Sequence, residues 1–244
     1  MGEFSSITRT GKHEPFSLHV QRGYVQGHST VHKFGFATSV TVSEVPIWNG
    51  GAAYVYPVSA GLVTLAAVSG TNATSNIKIV GLDANYNEIE EEVTLNATTT
   101  VTTSSTFIRV YRAYVSNDVN LGEQVDFYLD GNRTAVIDAD ENQTLMSLYT
   151  VPAGYTAYMY QLHISSGTAN PNGYIKVRLR AREPGGVFRV RAKYTLANAV
   201  MEEAYPFPLK FPEKTDIQVT GQSSSGVQEI AAMFDLLLIK NESA

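Results

Sequence analysis

From Val45 onward the chain is a succession of short runs in which apolar and polar residues alternate, interrupted by Gly, Asn, Asp and Pro. A period of two places successive side chains on opposite faces of an extended strand. On this pattern Leu62 to Val68, Ile77 to Leu82, Ile89 to Leu95, Phe107 to Val115 and Val125 to Leu129 are predicted strands of a first domain. A second series follows at Leu145 to Val151, Ala157 to Ile164, Tyr174 to Arg182, Phe188 to Leu196, Asp216 to Thr220 and Ile230 to Ile239. The polar stretch Asp138 to Asn142 separates the two, and Ser224 to Phe234 is the one place where a short helix fits the pattern. Short strands at this spacing are the signature of sandwiches and barrels. The expected fold is therefore all-β: an extended N-terminal arm over 1–44, then two β-sandwich domains of jelly-roll or immunoglobulin-like type over 45–138 and 139–244.

The arm is inferred because residues 1–44 hold no sustained periodicity, scatter their apolar residues and carry glycines at 11, 23, 27 and 35. Within it Phe16 to Val20 reads as one short strand and Lys33 to Phe36 as another. An arm without a core is expected to dock on a neighbour, with Phe34, Phe36 and the lone Trp48 as aromatic anchors. The two halves also resemble each other. Asn76 to Ile79 opens a hairpin that ends at Val93 to Leu95, and Tyr174 to Val177 opens one that ends at Tyr194 to Leu196.

The second of these hairpins carries the most physical content. A two-residue Gly-Gly loop within Pro184-Gly185-Gly186 pairs Arg182 with Arg189, Arg180 with Arg191 and Arg178 with Lys193. With Lys176 at the same parity, one face becomes a plate of seven cations. Like charges directly opposite each other across strands are destabilising, so an anionic surface is expected to answer them. Glu88, Glu90 and Glu92 alternate onto one side of the matching hairpin in the first half. Segment charges agree: four basic against ten acidic residues over 45–138, ten against ten over 139–244, and four against three over 1–44. The expectation is that the acidic hairpin of one domain or subunit faces the basic hairpin of another, which fixes register and orientation more than affinity.

Composition excludes several chemistries. With no cysteine there is no disulfide framework and no thiol nucleophile. A net charge of −5 offers nucleic acid no global attraction, and the basic face lacks interleaved aromatics to stack bases. No apolar run reaches the length of a membrane helix, and the first twelve residues lack the apolar stretch of a signal peptide. His28 and His32 have the spacing of a helical metal pair, but their glycine-rich setting and the missing acidic neighbour favour interface contacts. Asp83 to Glu88 resembles part of a calcium loop yet lacks its central glycine, and reads better as a turn. Glu90, Glu91 and Glu92 are consecutive strand residues that point to alternate faces, which does not suit paired-carboxylate chemistry. Nor is there a nucleophile elbow, a phosphate loop or a dinucleotide fingerprint. The serines and threonines of 98–106 have no base to activate them and read as strand edges and loops. Tyr54 and Tyr56, on one strand face, are the best candidates for a sugar-stacking pair. No catalytic residue, cofactor or metal is expected.

Several stretches carry a likeness: Gly27 to Phe36, Ile47 to Gly51, Gly81 to Glu88, Glu92 to Thr98, Tyr149 to Gly154 and Pro208 to Asp216. In them the chain resembles, over nearly its whole length, a family of β-rich virion structural proteins of marine tailed phages, cyanophages among them. The resemblance implies a component of the assembled particle, made in the host cytoplasm. It would decorate the capsid or form part of the neck or tail, with other virion proteins and copies of itself as partners. The alternative is a receptor- or glycan-binding fibre module.

Overall fold

The computed structural model describes residues 5–7, 13–67, 74–96, 99–168 and 173–242. The chain begins with β1 (Ser5–Ile7), β2 (His13–Pro15), a short helix α1 (Phe16–Gln21), β3 (His28–Val40) and β4 (Val45–Pro46). Next come β5 (Gly61–Ala67), β6 (Asn76–Leu82), β7 (Glu88–Thr94), β8 (Val101–Phe107), β9 (Arg109–Val115), β10 (Val125–Leu129) and β11 (Asn132–Ile137). The remainder is β12 (Leu148–Thr150), β13 (Tyr155–Thr168), β14 (Ile175–Arg182), β15 (Arg189–Leu196), β16 (Val200–Phe211), β17 (Asp216–Ser223) and β18 (Gln228–Lys240). Every strand pairing is antiparallel. The fold is all-β and built from stacked sheets.

Two hydrophobic cores sit between two pairs of sheets. In the first, the sheet ordered β11-β10-β5-β8 packs on β7-β6-β9, and Val63, Leu65, Ile77, Ile79, Phe107 and Phe127 are fully buried between them. In the second, β16-β13-β18-β3 packs on β12-β17-β14-β15, with β4 attached to β17, around Met159, Leu162, Phe234, Val177, Leu179 and Val219. Burying an aliphatic or aromatic side chain of this size contributes about 1.5–3 kcal/mol against exposure. The alternating pattern therefore suffices to fix which face of each strand turns inward.

The N-terminal segment departs from expectation. Over His28–Val40 it is not an extended arm but the edge strand of the C-terminal sandwich, paired with β18 from Gln228↔Val40 to Ile239↔His28. Gly35 explains why its glycines misled. A Cβ there would lie 2.3 Å from the backbone nitrogen of Ser147 and 2.4 Å from the carbonyl oxygen of Ile47. The glycine thus permits close backbone approach, where its spacing had suggested slack. Phe16 to Val20, expected as a strand, lies in α1, and Val20 is buried. The helix expected within Ser224 to Phe234 is absent, because Gln228 onward alternates buried and outward residues along β18. The expected strand ending at Val68 is β5 as far as Ala67; Val68 lies outside the described residues.

Lys33 of β3 is buried, and its ammonium donates to the carbonyl oxygen of Tyr111 on β9, so it joins the two sandwiches. Burial, aided by the nearby positive Arg112, lowers its pKa to about 7.

Candidate assembly surface

The β14–β15 hairpin turns at Glu183 to Gly186, where Gly186 N–H donates to Glu183 O at 2.9 Å. Proline presets the first central position, and Gly185 at φ +71° supplies the positive φ that a type II turn needs at the second. The strands resume only at Arg189, so the loop is longer than the two residues expected. Arg178 does face Lys193. A bulge between Leu179 and Arg180 then sets Val190 against Arg180 and Arg189 against Ala181. The expected pairs Arg182–Arg189 and Arg180–Arg191 do not form. One extra residue on β15 reverses its parity and moves Arg189 onto the face of Ala181, away from Arg178, Arg180 and Arg182.

Those three arginines are answered within their own chain. Glu44, in the link from β3 to β4, accepts from Arg178 Nη1 at 2.9 Å and from Arg180 Nη2 at 2.8 Å, and also from the Thr220 hydroxyl at 2.6 Å. Asp216 on β17 accepts from Arg182 Nη2 at 2.6 Å and from Arg109 Nε at 3.0 Å, with the Thr150 hydroxyl at 2.6 Å. Burial opposes the charge on Arg109, but Asp216 beside it holds the guanidinium above its ordinary pKa. Both guanidinium groups also lie over the Tyr56 ring, Arg109 at 5.2 Å and Arg182 at 4.8 Å from its centroid. Arg109 comes from the first core's strands and Arg182 and Asp216 from the second's, so this cluster is a seam between the two sandwiches. Neutralising Glu44 by Glu44→Gln is expected to lower stability by about 1 kcal/mol, since the pairs are partly exposed; a urea titration measures it.

Glu88, Glu90 and Glu92 all lie exposed along β7, which closes one edge of its sheet. Their charges are partly met at home. Lys78 pairs with Glu90 at 2.7 Å, the Ser116 hydroxyl donates to Glu92 at 2.7 Å, and the Tyr111 hydroxyl donates to Glu88. The intervening Glu91 faces the other way. Its partial burial disfavours the charge, yet backbone N–H groups of Ser104 and Ser105, both at 2.7 Å, hold its carboxyl below the ordinary value. The acidic and basic hairpins do not meet within one chain.

The aromatic candidates divide. Phe34 and Phe36 are half-buried on the face of β3 opposite Lys33, Gly35 and Ala37. Trp48, expected as a contact point, is instead 1 % exposed in the first core and donates its indole N–H to Ala52 O at 2.7 Å. It starts an aromatic series through Tyr54 and Tyr56 to Phe188 at centroid separations of 5.4, 4.8 and 5.3 Å, the first two contacts edge-to-face and the last tilted. The two tyrosine hydroxyls are bonded to Thr134 and Gln218, so this pair is packed inside the seam and does not form an open sugar platform. His28 and His32 lie on β3, not on a helix, and His32 Nδ1 is 2.5 Å from Asp235 Oδ1. Asp83 closes its turn by accepting from the N–H groups of Asn85 and Asn87 at 2.8 Å each. Among the described residues no group of three or more His, Asp or Glu could hold a metal ion, and no helix is long and apolar enough to cross a membrane.

What remains open lies where β15 and β16 end their respective sheets. Arg189, Arg191 and Lys193 are exposed on β15 and have no ion pair among the described residues. Apolar side chains also stand in water on the hairpin turn and on β16: Val187 is 74 %, Val200 79 % and Phe207 88 % exposed. Phe207 sits between two prolines where β16 departs from β13, Met159 pairing with Leu209 but Gln161 with Ala204. Sequence reasoning missed Phe207, although Tyr205-Pro206-Phe207-Pro208 was a legible signal: prolines in a strand mark an edge or bulge.

No protein-family model matches the chain, and no curated protein matches it. Among solved structures it is similar to a chain of the naturally occurring empty particles of cowpea mosaic virus, at 11% identity over 75% of this chain and 83% of that one, with a TM-score of 0.24. It is also similar to a chain of the infectious bursal disease virus Gx strain, at 11% identity over 88% and 73%, TM-score 0.26. A third is the VP2 subviral particle of infectious bursal disease virus, at 10% identity over 90% and 78%, TM-score 0.21.

Proposed function

We propose that the chain is a structural subunit of a virus particle, in particular a tailed-phage capsid-decorating, neck or tail component. It acts by assembly with copies of itself and with other virion proteins, and not as an enzyme. One observation carries the reading: a single chain exposes cations on β15 that lack an ion pair among the described residues, and three aligned carboxylates on β7. Complementary patches at two different places on one molecule make a heterologous contact, which generates rings or longer arrays. The motif resemblance to phage structural proteins supports the same reading. So do the exposed Phe207 and Val200 on β16, since interface cores favour aromatic and apolar anchors. Under this reading the contact is made around the open edge of β15, with Arg189 and Arg191 on one side and Lys193 with Lys176 on the face of Arg178, against Glu88, Glu90 and Glu92. Arg178, Arg180 and Arg182, already paired, flank it, and Phe34 and Phe36 offer a second surface on the outer face of β3.

The test is sedimentation velocity on purified protein. Association is expected to weaken sharply in about 1 M salt, where the screening length falls to about 3 Å. Reversing Arg189, Arg191 and Lys193 to Glu is expected to weaken it by about 100-fold or more, because like charges juxtaposed across an interface cost several kcal/mol. Adding Glu90→Lys and Glu92→Lys should restore it. Association indifferent to salt and to both sets of reversals would overturn the contact, and absence of the protein from purified virions by mass spectrometry would overturn the role.

A further inference from the structure

Between the open edges of β15 and β16 lies a small cleft. Arg189 and Arg191 line it from one strand and Lys210 from the other, with Phe211 and Thr215 deeper and Glu183 contributed by the exposed hairpin turn. Two observations set it apart from an ordinary charged surface. First, the β15 bulge turns Arg189 to the side of Ala181, whose side chain also lines the cleft, while the Arg191 guanidinium lies 5.3 Å from the Phe211 ring centroid. A cation held over an aromatic face is oriented, not merely present. Second, Thr215 is 1 % exposed and its Oγ1 has no hydrogen-bond partner among the described residues. Its backbone is otherwise fixed: its N–H donates to Pro212 O at 3.3 Å and its carbonyl accepts from Val151 N at 3.0 Å. Buried hydroxyls without partners are uncommon and call for a ligand or a water.

From this geometry we propose that the cleft is an oxyanion-binding site, in which the guanidinium groups of Arg189 and Arg191 and the Lys210 ammonium neutralise the anion while the Thr215 hydroxyl donates to one of its oxygens. Guanidinium forks match the paired oxygens of carboxylate and phosphate. Three cations against the single carboxylate of Glu183 leave local positive charge for the ligand to balance. The inference goes beyond assembly and stands whether or not the chain forms part of a particle. The oxygens can come from free inorganic phosphate or from an acidic side chain of a second copy, which the cleft would recognise by the same groups.

The test is a titration with inorganic phosphate at constant ionic strength, followed through the Arg Nε–H resonances of the full chain. A saturable shift confined to two arginines is expected. Arg191→Met should weaken it by about tenfold, the usual worth of one charged hydrogen bond. Thr215→Val should weaken it by several-fold while Thr215→Ser retains it, and Glu183→Gln should tighten it. Arg191 is exposed and valine matches threonine in shape, so these variants keep the fold, which unchanged backbone amide spectra verify. No saturable shift, or one that persists unaltered in Arg191→Met and Thr215→Val, overturns the site. Sedimentation in the presence of phosphate separates the sources: dissociation of oligomers points to a neighbour's carboxylate, and unchanged association points to a free anion, either result retaining the site.

Discussion

Replacing Asp216 by alanine is expected to remove about 3–5 kcal/mol of stability, the range for stripping one partner from a buried ion pair. Asp216 is 3 % exposed and serves both Arg109, itself 5 % exposed, and Arg182. Without it the Arg109 guanidinium keeps only the carbonyl oxygens of Pro57 and Ile108, at 2.7 and 2.8 Å. An uncompensated charge then remains in the seam. Because the cluster joins strands of both cores, the loss should also loosen one sandwich from the other. Chemical unfolding of Asp216→Ala, Arg109→Met and the double variant checks this. The double variant should be less destabilised than the sum of the singles, since it leaves no orphan charge on Arg109. Additive effects would show that Asp216 and Arg109 do not act as a unit.

A second large effect should appear with pH. Lys33 titrates near 7 when folded against 10.5 when free. Between those values the unfolded chain binds more protons, so stability rises with pH across the window. Below pH 7 the amine is charged in both states and the full burial penalty applies. The total is about 5 kcal/mol, at about 1.4 kcal/mol for each pKa unit. Burial pushes the phenols of Tyr111 and Tyr149 upward, so they act the opposite way once tyrosines of the unfolded chain ionise near pH 10. The gain from Lys33 should therefore be visible from pH 7 to about 10. Lys33→Met should stabilise the protein at pH 6 and flatten this rise, as thermal unfolding across the pH range would record. An equally steep rise in the variant would assign it to other groups.

The inward faces of β5, β6, β9, β10, β14 and β18 were legible because alternation in a sheet packed on one side is a direct record of burial. The register of β15 was not. Nothing in Arg189 to Lys193 announces the bulge, and a single added residue reverses the side chains between it and the turn. Of β3 only Lys33 to Phe36 was read as a strand, and its place in a core was missed, because Lys33 and Gly35 face that core although one is charged and the other has no side chain; the first is satisfied by a carbonyl and the second admits another backbone. β16 had no sequence expectation, and its prolines and exposed apolar residues break the alternation that marked the other strands. The basic hairpin was found from its residues, but its partners Glu44 and Asp216 were not, since each lies far along the chain from the arginines it meets. A signal did exist: Arg109 and Arg112 both interrupt the apolar run Phe107 to Val115, and a charge bound for a core must have its counter-ion somewhere.

The pairing of β3 with β18 has a consequence for biosynthesis. Residues near 30 cannot find their hydrogen-bonding partners until residues near 235 have left the ribosome, so the C-terminal sandwich cannot close before that point. The first sandwich, whose strands all fall between Gly61 and Ile137, is free to form much earlier. Such long-range closure is slow and leaves sticky strands waiting. Between the emergence of Ile137 and that of β18 the nascent polypeptide thus holds one completed half with its leading segment still unzipped, a stage at which chaperones, or a premature neighbour, would first encounter it.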